Sequence, residues 1–300
     1  NTKFMNKHTL GQWIIALRPW SIPASAMPVI VTLSFLFWKG TEINWLNGIL
    51  ALIGMILFHL SGNTWSDYYD YKQNVDTEET YGAKTLTTKM FKPEEIKKLS
   101  IILLAAASII GITLLILTGL PLLWIGLTGL ACTILYPYLK FNALGDIDIL
   151  LTFALLPTIG TSYATTGAIH WSVIAITLPI GLITDGILHS NNIRDIKTDK
   201  RANIKTMAMV LGTKTAAKLY LFEITFPFIL VSICSIIGTL PLHTNIVLIA
   251  LPTAIACAKT ITNTTGNNNQ PIADIDARTA QLQLQFSALL SIALILARFI

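Results

Sequence analysis

Nine apolar segments, each long enough to cross a bilayer, constrain this chain more than any other feature. A transmembrane helix needs about 20 mostly apolar residues. By that measure the segments lie at 12–37, 45–66, 97–118, 121–139, 147–167, 171–190, 215–238, 244–262 and 280–299. In lipid every backbone polar group must find a partner inside the protein, and a helix meets this need within one segment. The sequence therefore predicts an all-α polytopic membrane protein, with nine transmembrane helices bundled around a central cavity.

The composition supports this class and excludes an ordinary soluble enzyme. Only 12% of the residues are charged and 53% are hydrophobic, whereas about 25% of the residues of a typical soluble domain are charged. The two most polar stretches, 66–97 and 190–215, are predicted to be loops that form a polar cap on one side of the membrane. We expect residues 1–300 to form a single transmembrane domain.

The distribution of positive charge predicts the orientation in the membrane. If the N-terminus is cytoplasmic, nine spans place 19 of the 21 lysines and arginines on the cytoplasmic side, and only Lys39 and Arg298 on the other. Such an asymmetry orients a membrane protein strongly. Both polar loops are then cytoplasmic. The net charge of +5 is explained by this placement, and no nucleic-acid partner is predicted.

A first acidic cluster lies where the second apolar segment ends. Asn63, Asp67 and Asp70 stand at i, i+4 and i+7, a spacing that puts them on one face of a helix. Asp76 follows in the polar loop. Carboxylates this close to apolar segments repel one another and are costly to desolvate. The cluster therefore needs a cationic ligand.

A second cluster of the same kind follows the sixth segment. Asn191, Asp195 and Asp199 stand at i, i+4 and i+8, and on a helix they would share one face. Mg²⁺ binds few protein carboxylates, keeps several waters and completes its shell with phosphate oxygens. Two such clusters, flanked by lysine and arginine, thus predict a binding site for a magnesium–diphosphate complex where the apolar helix bundle meets the polar loops. The lipid-like tail of an amphiphile such as a prenyl diphosphate would lie in the membrane.

Several single residues near these clusters have two readings from the sequence. Arg18, beside Pro19, either reaches lipid headgroups at the interface or binds an anionic substrate at the cavity mouth. Lys84 is either an orientation charge or a diphosphate ligand. Tyr136 belongs either to an interfacial aromatic belt or to the lining of a cationic intermediate.

A transporter is the rival interpretation from a different functional class. His59, Asp185 and His189 lie within apolar segments, and intramembrane ionisable groups often mark ion pathways. A divalent-metal or proton-coupled transporter would use two sets of residues as its ion site: His59, Asn63 and Asp67, and Asp185, His189 and Asn192. That reading does not explain why acids and bases crowd at one membrane face, since transporter sites usually lie near the midplane.

The two acidic motifs, together with Arg18-Pro19, resemble those of the UbiA-type intramembrane prenyltransferases. The sequences around Asn191-Asn-Ile-Arg-Asp195 and Tyr136-Pro-x-x-Lys140 are most similar to those of the enzymes in the branch that prenylates 1,4-dihydroxy-2-naphthoate in menaquinone synthesis. Two positions depart from the family pattern. Ser66 stands where asparagine is usual, and Asn203-Ile204 stand where a glycine–lysine pair is usual, so Lys205 is the expected substitute for the missing lysine.

The resemblance implies a reaction and a set of site residues. The enzyme would transfer a polyprenyl group from polyprenyl diphosphate to the naphthoate, with Mg²⁺ as cofactor, and release diphosphate and CO2 to give demethylmenaquinone. Other acceptors, hydroxybenzoate or heme, remain alternatives. The implied catalytic carboxylates are Asp67, Asp70, Asp195 and Asp199, which with Asn63 also form the implied metal site. The implied substrate-binding residues are Arg18, Asn63, Asp76, Lys84, Tyr136, Lys140, Asn191, Asn192, Arg194 and Lys205.

The resemblance also implies a location. We expect an integral protein of a bacterial cytoplasmic membrane, in contact with membrane lipid, with its active site facing the cytoplasm.

Overall fold

The protein folds as a bundle of α-helices in a computed structural model that describes residues 7–77, 80–81, 84–263 and 272–300. Nine helical stretches of these described ranges are long and apolar enough to cross a membrane, which confirms the predicted fold class. The helices are α1 (Leu10–Leu17), α2 (Ile22–Trp38), α3 (Trp45–Lys72), α4 (Pro93–Thr118), α5 (Pro121–Phe141), α6 (Gly145–Leu150), α7 (Leu156–Thr166), α8 (Ile174–Arg194), α9 (Ile196–Arg201), α10 (Met207–Leu211), α11 (Thr213–Ile236), α12 (Leu251–Thr262) and α13 (Ile275–Leu296).

The first span is interrupted at Arg18, immediately before Pro19. Arg18 has left-handed backbone angles, φ 51° and ψ 57°, and a 3-10 turn over Pro19–Ser21 leads into α2. Proline disfavours the α conformation of the residue before it. The bend separates α1 from α2 and brings the Arg18 side chain to the cavity described below.

The predicted bounds of the two polar loops are wrong. Helix α3 continues to Lys72 and α4 begins at Pro93, so the loop expected at 66–97 is limited to 73–92. Helix α8 continues to Arg194, and the loop expected at 190–215 contains the short helices α9 and α10. Hydropathy detects only the apolar part of a helix, and the last turns of α3 and α8 are polar. Both acidic motifs therefore begin on helices rather than in loops.

The apolar core is packed between four helices, three of which also contribute residues to the cavity wall. Helices α2, α8, α11 and α13 pack together around side chains such as Ile180, Tyr220 and Phe286, none of them accessible. Helices α3, α4, α5 and α7 contribute to the wall of a cavity of about 720 Å³. A side-chain carbon added at Gly111 or Gly126 in that wall would meet nothing within 4 Å. The predicted central cavity is confirmed.

Candidate active site

The first acidic motif occupies one face of α3, as its spacing predicts. The Asp67 carboxylate forms an ion pair with the Arg18 guanidinium from the bend after α1. One turn earlier, Asn63 donates from Nδ2 to the hydroxyl of Ser21, at 3.0 Å. These contacts fasten the interrupted first span to the polar end of α3.

Asp70, the next acid of this face, is bound by a lysine from another helix. Lys140 of α5 donates from Nζ to Asp70 Oδ2 at 2.9 Å, and the Ser66 hydroxyl donates to the same oxygen at 3.2 Å. The Asp70 side chain is only 8% exposed. Its other oxygen, Oδ1, is buried without a hydrogen-bond partner in the described part of the chain. Asp70 thus keeps a lone-pair site open to a further ligand.

Asp76 and Lys84 extend the first motif into the loop after α3. The Asp76 N–H donates to the Asp70 carbonyl at 3.2 Å, and Asp76, Lys84, Arg18 and Asp67 line one small recess. Burial, with the negative charges of Asp70 and Asp67, raises the pKa of Asp76 to about 7. The structure therefore brings a third carboxylate and a lysine to the predicted cluster.

The second motif does not form the single straight helical face that its spacing predicts. Helix α8 ends at Arg194, and Asp195 lies between α8 and α9 with φ −96° and ψ 6°. The turns remain linked, because Asp195 N–H donates to the Asn191 carbonyl and Asp199 N–H to the Asp195 carbonyl, both at 2.9 Å. The expected face is bent at its middle residue.

Arg194 is held by two carboxylates. Its guanidinium donates to Asp195 through Nε at 2.8 Å and Nη2 at 2.7 Å, and Nη1 lies 3.0 Å from an oxygen of Asp276 in α13. It also stacks over the ring of Tyr81, 4.5 Å from the centroid. Arg194 therefore ties α8 to α13, and it can grip a phosphate only by exchanging one of these partners.

Asp199 shows that the two motifs lie close together. Burial raises the pKa of Asp199 to about 7; the positive charge of Lys140 opposes this shift, and the negative charges of Asp195 and Asp70 add to it. An acid of the second motif is thus within electrostatic range of Asp70 in the first. Lys140, which contacts Asp70 at 2.9 Å, thus also exerts its charge on Asp199.

The remaining predicted residues are placed unequally. Tyr136 and Asn191 line the large cavity, and Asn191 Oδ1 is buried without a partner among the described residues. Asn192 is buried in α8 but does not line this cavity. Lys205 is exposed, and its N–H donates to the Phe141 carbonyl at 3.0 Å, next to the end of α5.

The residues present suit Mg²⁺, although they are not arranged as a closed ligand set. Within the described ranges, no three histidine, cysteine, aspartate or glutamate side chains stand where they could together hold a metal ion. The carboxylates instead pair with Arg18, Lys140 and Arg194. The unpartnered Oδ1 of Asp70 is a hard oxygen donor of the kind that Mg²⁺ prefers. Binding would require the carboxylates to exchange a protein cation for the metal.

Sequence reasoning missed two further buried acids. Asp148 of α6 is 4% exposed and lines the cavity, with Oδ1 unpartnered in the described structure. Glu223 of α11 is 2% exposed, inside a predicted span. An acid within an apolar segment is itself the signal that could have found them.

Comparisons with known proteins agree on one family. The sequence model of the UbiA prenyltransferase family matches residues 25–280. A Xenopus tropicalis protein called UbiA prenyltransferase domain-containing protein 1 is 28% identical over 286 residues, which cover 93% of this chain and 80% of that protein. Among solved structures, the apo UbiA homolog from Aeropyrum pernix K1 has a TM-score of 0.66 at 14% identity, over 92% of this chain and 96% of its own. A UbiA homolog from Archaeoglobus fulgidus bound to GPP and Mg²⁺ has a TM-score of 0.60 at 15% identity, covering 93% and 99%.

Proposed function

Because this chain belongs to the UbiA prenyltransferase family, we propose that it transfers a polyprenyl group from polyprenyl diphosphate to 1,4-dihydroxy-2-naphthoate. The products would be diphosphate, CO2 and demethylmenaquinol, the reduced form of demethylmenaquinone. One observation carries the proposal: clustered carboxylates and cations lie at the polar end of a large, mainly apolar cavity, with Arg18 and Asn63 lining that cavity beside residues of α4 and α5. An amphiphile with an anionic head and an apolar tail fits this arrangement.

The donor class is supported by the cavity and by one relative. A cavity of about 720 Å³ falls within the usual range for ligand sites, about 300–1,000 Å³. Its wall includes Leu115, Leu122 and Ile125, apolar residues suited to a prenyl chain. The Archaeoglobus fulgidus homolog of the same fold was solved with GPP and Mg²⁺.

The chemistry proposed for the donor is loss of diphosphate. The bond between the first prenyl carbon and its oxygen breaks, and the electron pair leaves with the diphosphate. Bound Mg²⁺ would neutralise charge on the leaving group, held by carboxylates from the set Asp67, Asp70, Asp195 and Asp199. Arg18 and Lys140, released from their carboxylates, would bind the remaining phosphate oxygens. The ring of Tyr136, which lines the cavity, can stabilise the allylic cation.

The acceptor is proposed from the two sequence motifs. The ring carbon that carries the carboxylate attacks the allylic cation and forms the new carbon–carbon bond. The bond to the carboxylate then breaks, CO2 leaves, and its electron pair restores the aromatic ring. A second anion must be accommodated near the diphosphate, and the exposed Lys205 near Lys140 adds positive charge there.

The purified protein tests this function directly. Given dihydroxynaphthoate, a polyprenyl diphosphate and Mg²⁺, it should release diphosphate and CO2 together, and mass spectrometry should identify the decarboxylated quinol. Asp67→Asn and Asp195→Asn should each abolish turnover while the protein stays folded in detergent. A product that keeps its carboxyl group, or turnover only with hydroxybenzoate, would move the protein to another branch of the family. Metal uptake into vesicles without prenyl transfer would instead support the transporter.

The proposal includes an orientation in the membrane. The 19-to-2 partition of lysine and arginine supports a cytoplasmic N-terminus and an active site that faces the cytoplasm. We propose a bacterial cytoplasmic membrane as the location, on the strength of the naphthoate motifs alone.

A further inference from the structure

A second buried polar cluster lies between α6, α8 and α11, apart from the candidate active site. Its members are Asp146, Asp185, His189 and Glu223, with exposed fractions of 6%, 4%, 0% and 2%. None of the four lines the large cavity. The reaction proposed above uses none of them.

Contacts join three of the four side chains, and the fourth, Asp185, lies beside them on α8. His189 Nδ1 lies 3.0 Å from Asp146 Oδ1 and 3.6 Å from Glu223 Oε1. Asp185 stands one helical turn before His189 on α8, and its charge interacts with those of Asp146 and Glu223. Residues distant in sequence are thus brought together by the packing of α6 and α11 against α8.

The charges of this cluster do not balance. If its three carboxyls were ionised, even a protonated His189 would leave two negative charges uncompensated. In the described portion of the chain no lysine or arginine forms an ion pair with any of the four. Uncompensated charge in an apolar interior is strongly disfavoured.

The described tyrosines and the charged residues of α13 near the cluster do not supply the missing charge. Tyr220 interacts with Glu223, and Tyr136 with Asp146, but phenols are uncharged at neutral pH. Helices α2 and α10, which also pack on α8, carry no titratable side chain. The charged residues at the start of α13 have other partners: Arg194 for Asp276 and Thr260 for Arg278.

Each member also has a buried atom without a hydrogen-bond partner among the described residues. These atoms are Asp146 Oδ2, Asp185 Oδ1, His189 Nε2 and Glu223 Oε2. Buried polar atoms are normally satisfied, so the cluster needs a ligand. A metal ion is a poor choice, because these side chains form no metal-binding group in the described structure and lie outside the cavity in which a diphosphate could complete the metal's shell. A proton needs no ligand shell, and it removes the charge directly.

We propose that Asp146, Asp185, His189 and Glu223 form a proton-binding site within the membrane bundle. At neutral pH, Asp185 and Glu223 each carry a proton, while His189 Nδ1 stays in hydrogen-bond contact with Asp146 Oδ1. These two protons remove the two negative charges that His189 could not compensate.

Infrared spectroscopy of the purified full-length protein at pH 7 tests this proposal. Asp185→Asn and Glu223→Gln should each remove absorption of a protonated carboxylic acid, which difference spectra against the wild type isolate. Glu42→Gln, at an exposed residue between α2 and α3, is the matched control and should remove carboxylate absorption only. Loss of carboxylate absorption from Asp185→Asn and Glu223→Gln would overturn the proposal.

The pH dependence of stability is an independent measurement. Unfolded carboxyls titrate near pH 4, so above that pH the folded protein holds protons that the unfolded chain has lost. Its stability therefore falls as pH rises, with the ratio of folded to unfolded protein dropping about tenfold per pH unit for each such proton. For the two protons of Asp185 and Glu223 together, the ratio of folded to unfolded protein should fall about a hundredfold per pH unit between pH 6 and 8. The double variant Asp185→Asn/Glu223→Gln should lack this contribution to the pH dependence.

The amide variants have the shape of the protonated acids, so they should fold and should bind prenyl diphosphate like the wild type. A double variant that fails to fold would contradict the proposal, since it would mean that ionised carboxylates are required. Stabilisation of the wild type by NaCl but not by KCl would overturn it in favour of a sodium site.

Discussion

Removing the Lys140 side chain should destabilise the empty protein and at the same time strengthen its binding of Mg²⁺. In Lys140→Met, Asp70 would lose its ion-pair partner, which lies 2.9 Å away, and remain as a carboxylate that is 8% exposed. Removing one partner of a buried pair costs about 3–5 kcal/mol. We expect about 3 kcal/mol, the lower end, because the Lys140 side chain is 20% exposed.

The measurement is thermal unfolding in detergent with EDTA, followed by titration with MgCl2. A loss of about 3 kcal/mol corresponds to a fall in Tm of roughly 6–12 °C, on the scale of about 2–4 °C per kcal/mol. Added Mg²⁺ should restore much of this loss, since the metal then takes the place of the lysine beside Asp70. Mg²⁺ should also bind this variant more tightly than the wild type in the absence of diphosphate, because no lysine competes for the carboxylate.

Two controls separate this effect from a general loss of charge. Lys98→Met removes an exposed lysine of α4, and should change stability by less than about 0.5 kcal/mol. Asp70→Asn/Lys140→Met should be more stable than Lys140→Met alone, because the uncompensated charge is gone. An unchanged Tm for Lys140→Met, together with unchanged Mg²⁺ affinity, would refute the reasoning.

Three further predictions concern the cavity, the metal site and the orientation. Gly126→Leu should fill open space in the cavity wall and lower turnover of long prenyl donors more than short ones, whereas Gly126→Ala should have little effect; equal losses for all donors would contradict this. The pKa values of Asp76 and Asp199 are raised to about 7, so protons compete with the metal near neutral pH. Mg²⁺ should therefore bind more weakly at pH 6 than at pH 8. Equal affinities in calorimetry at the two pH values would contradict this prediction. A cysteine introduced in place of Lys84 should resist impermeant thiol reagents added outside intact cells, and labelling there would reverse the proposed orientation.

The fold could be predicted from the sequence because its physical cause is local. Each span is an apolar run, and the interruption at Arg18-Pro19 follows from the restriction that proline places on its neighbour. Hydropathy places the ends of α3 and α8 too early in the chain. The reason is that Asp67, Asp70 and Arg194 are polar yet helical, with partners on other segments. A hydropathy window cannot detect partners that arrive from another part of the chain.

The candidate site shows the same division. The spacing of Asn63, Asp67 and Asp70 correctly predicts a shared face of α3. The pairing of Asp70 with Lys140 depends on how α5 packs, and nothing in the sequence specifies it. Of the buried cluster around His189, the sequence indicates Asp185 and His189 but not Asp146 and Glu223. These two acids reach His189 from other helices.

The ion pairs at the candidate site should keep the protein folded when no metal ion is bound. Many small metal-binding domains unfold when the metal is removed, since ligands that repel one another lose their common partner. Here Arg18 and Lys140 already occupy the carboxylates of Asp67 and Asp70 and join separate segments to α3. Removing Mg²⁺ with a chelator should therefore leave a folded but inactive enzyme that regains activity when Mg²⁺ is added back. A shortage of the ion would then stop the reaction without unfolding the protein and exposing it to degradation.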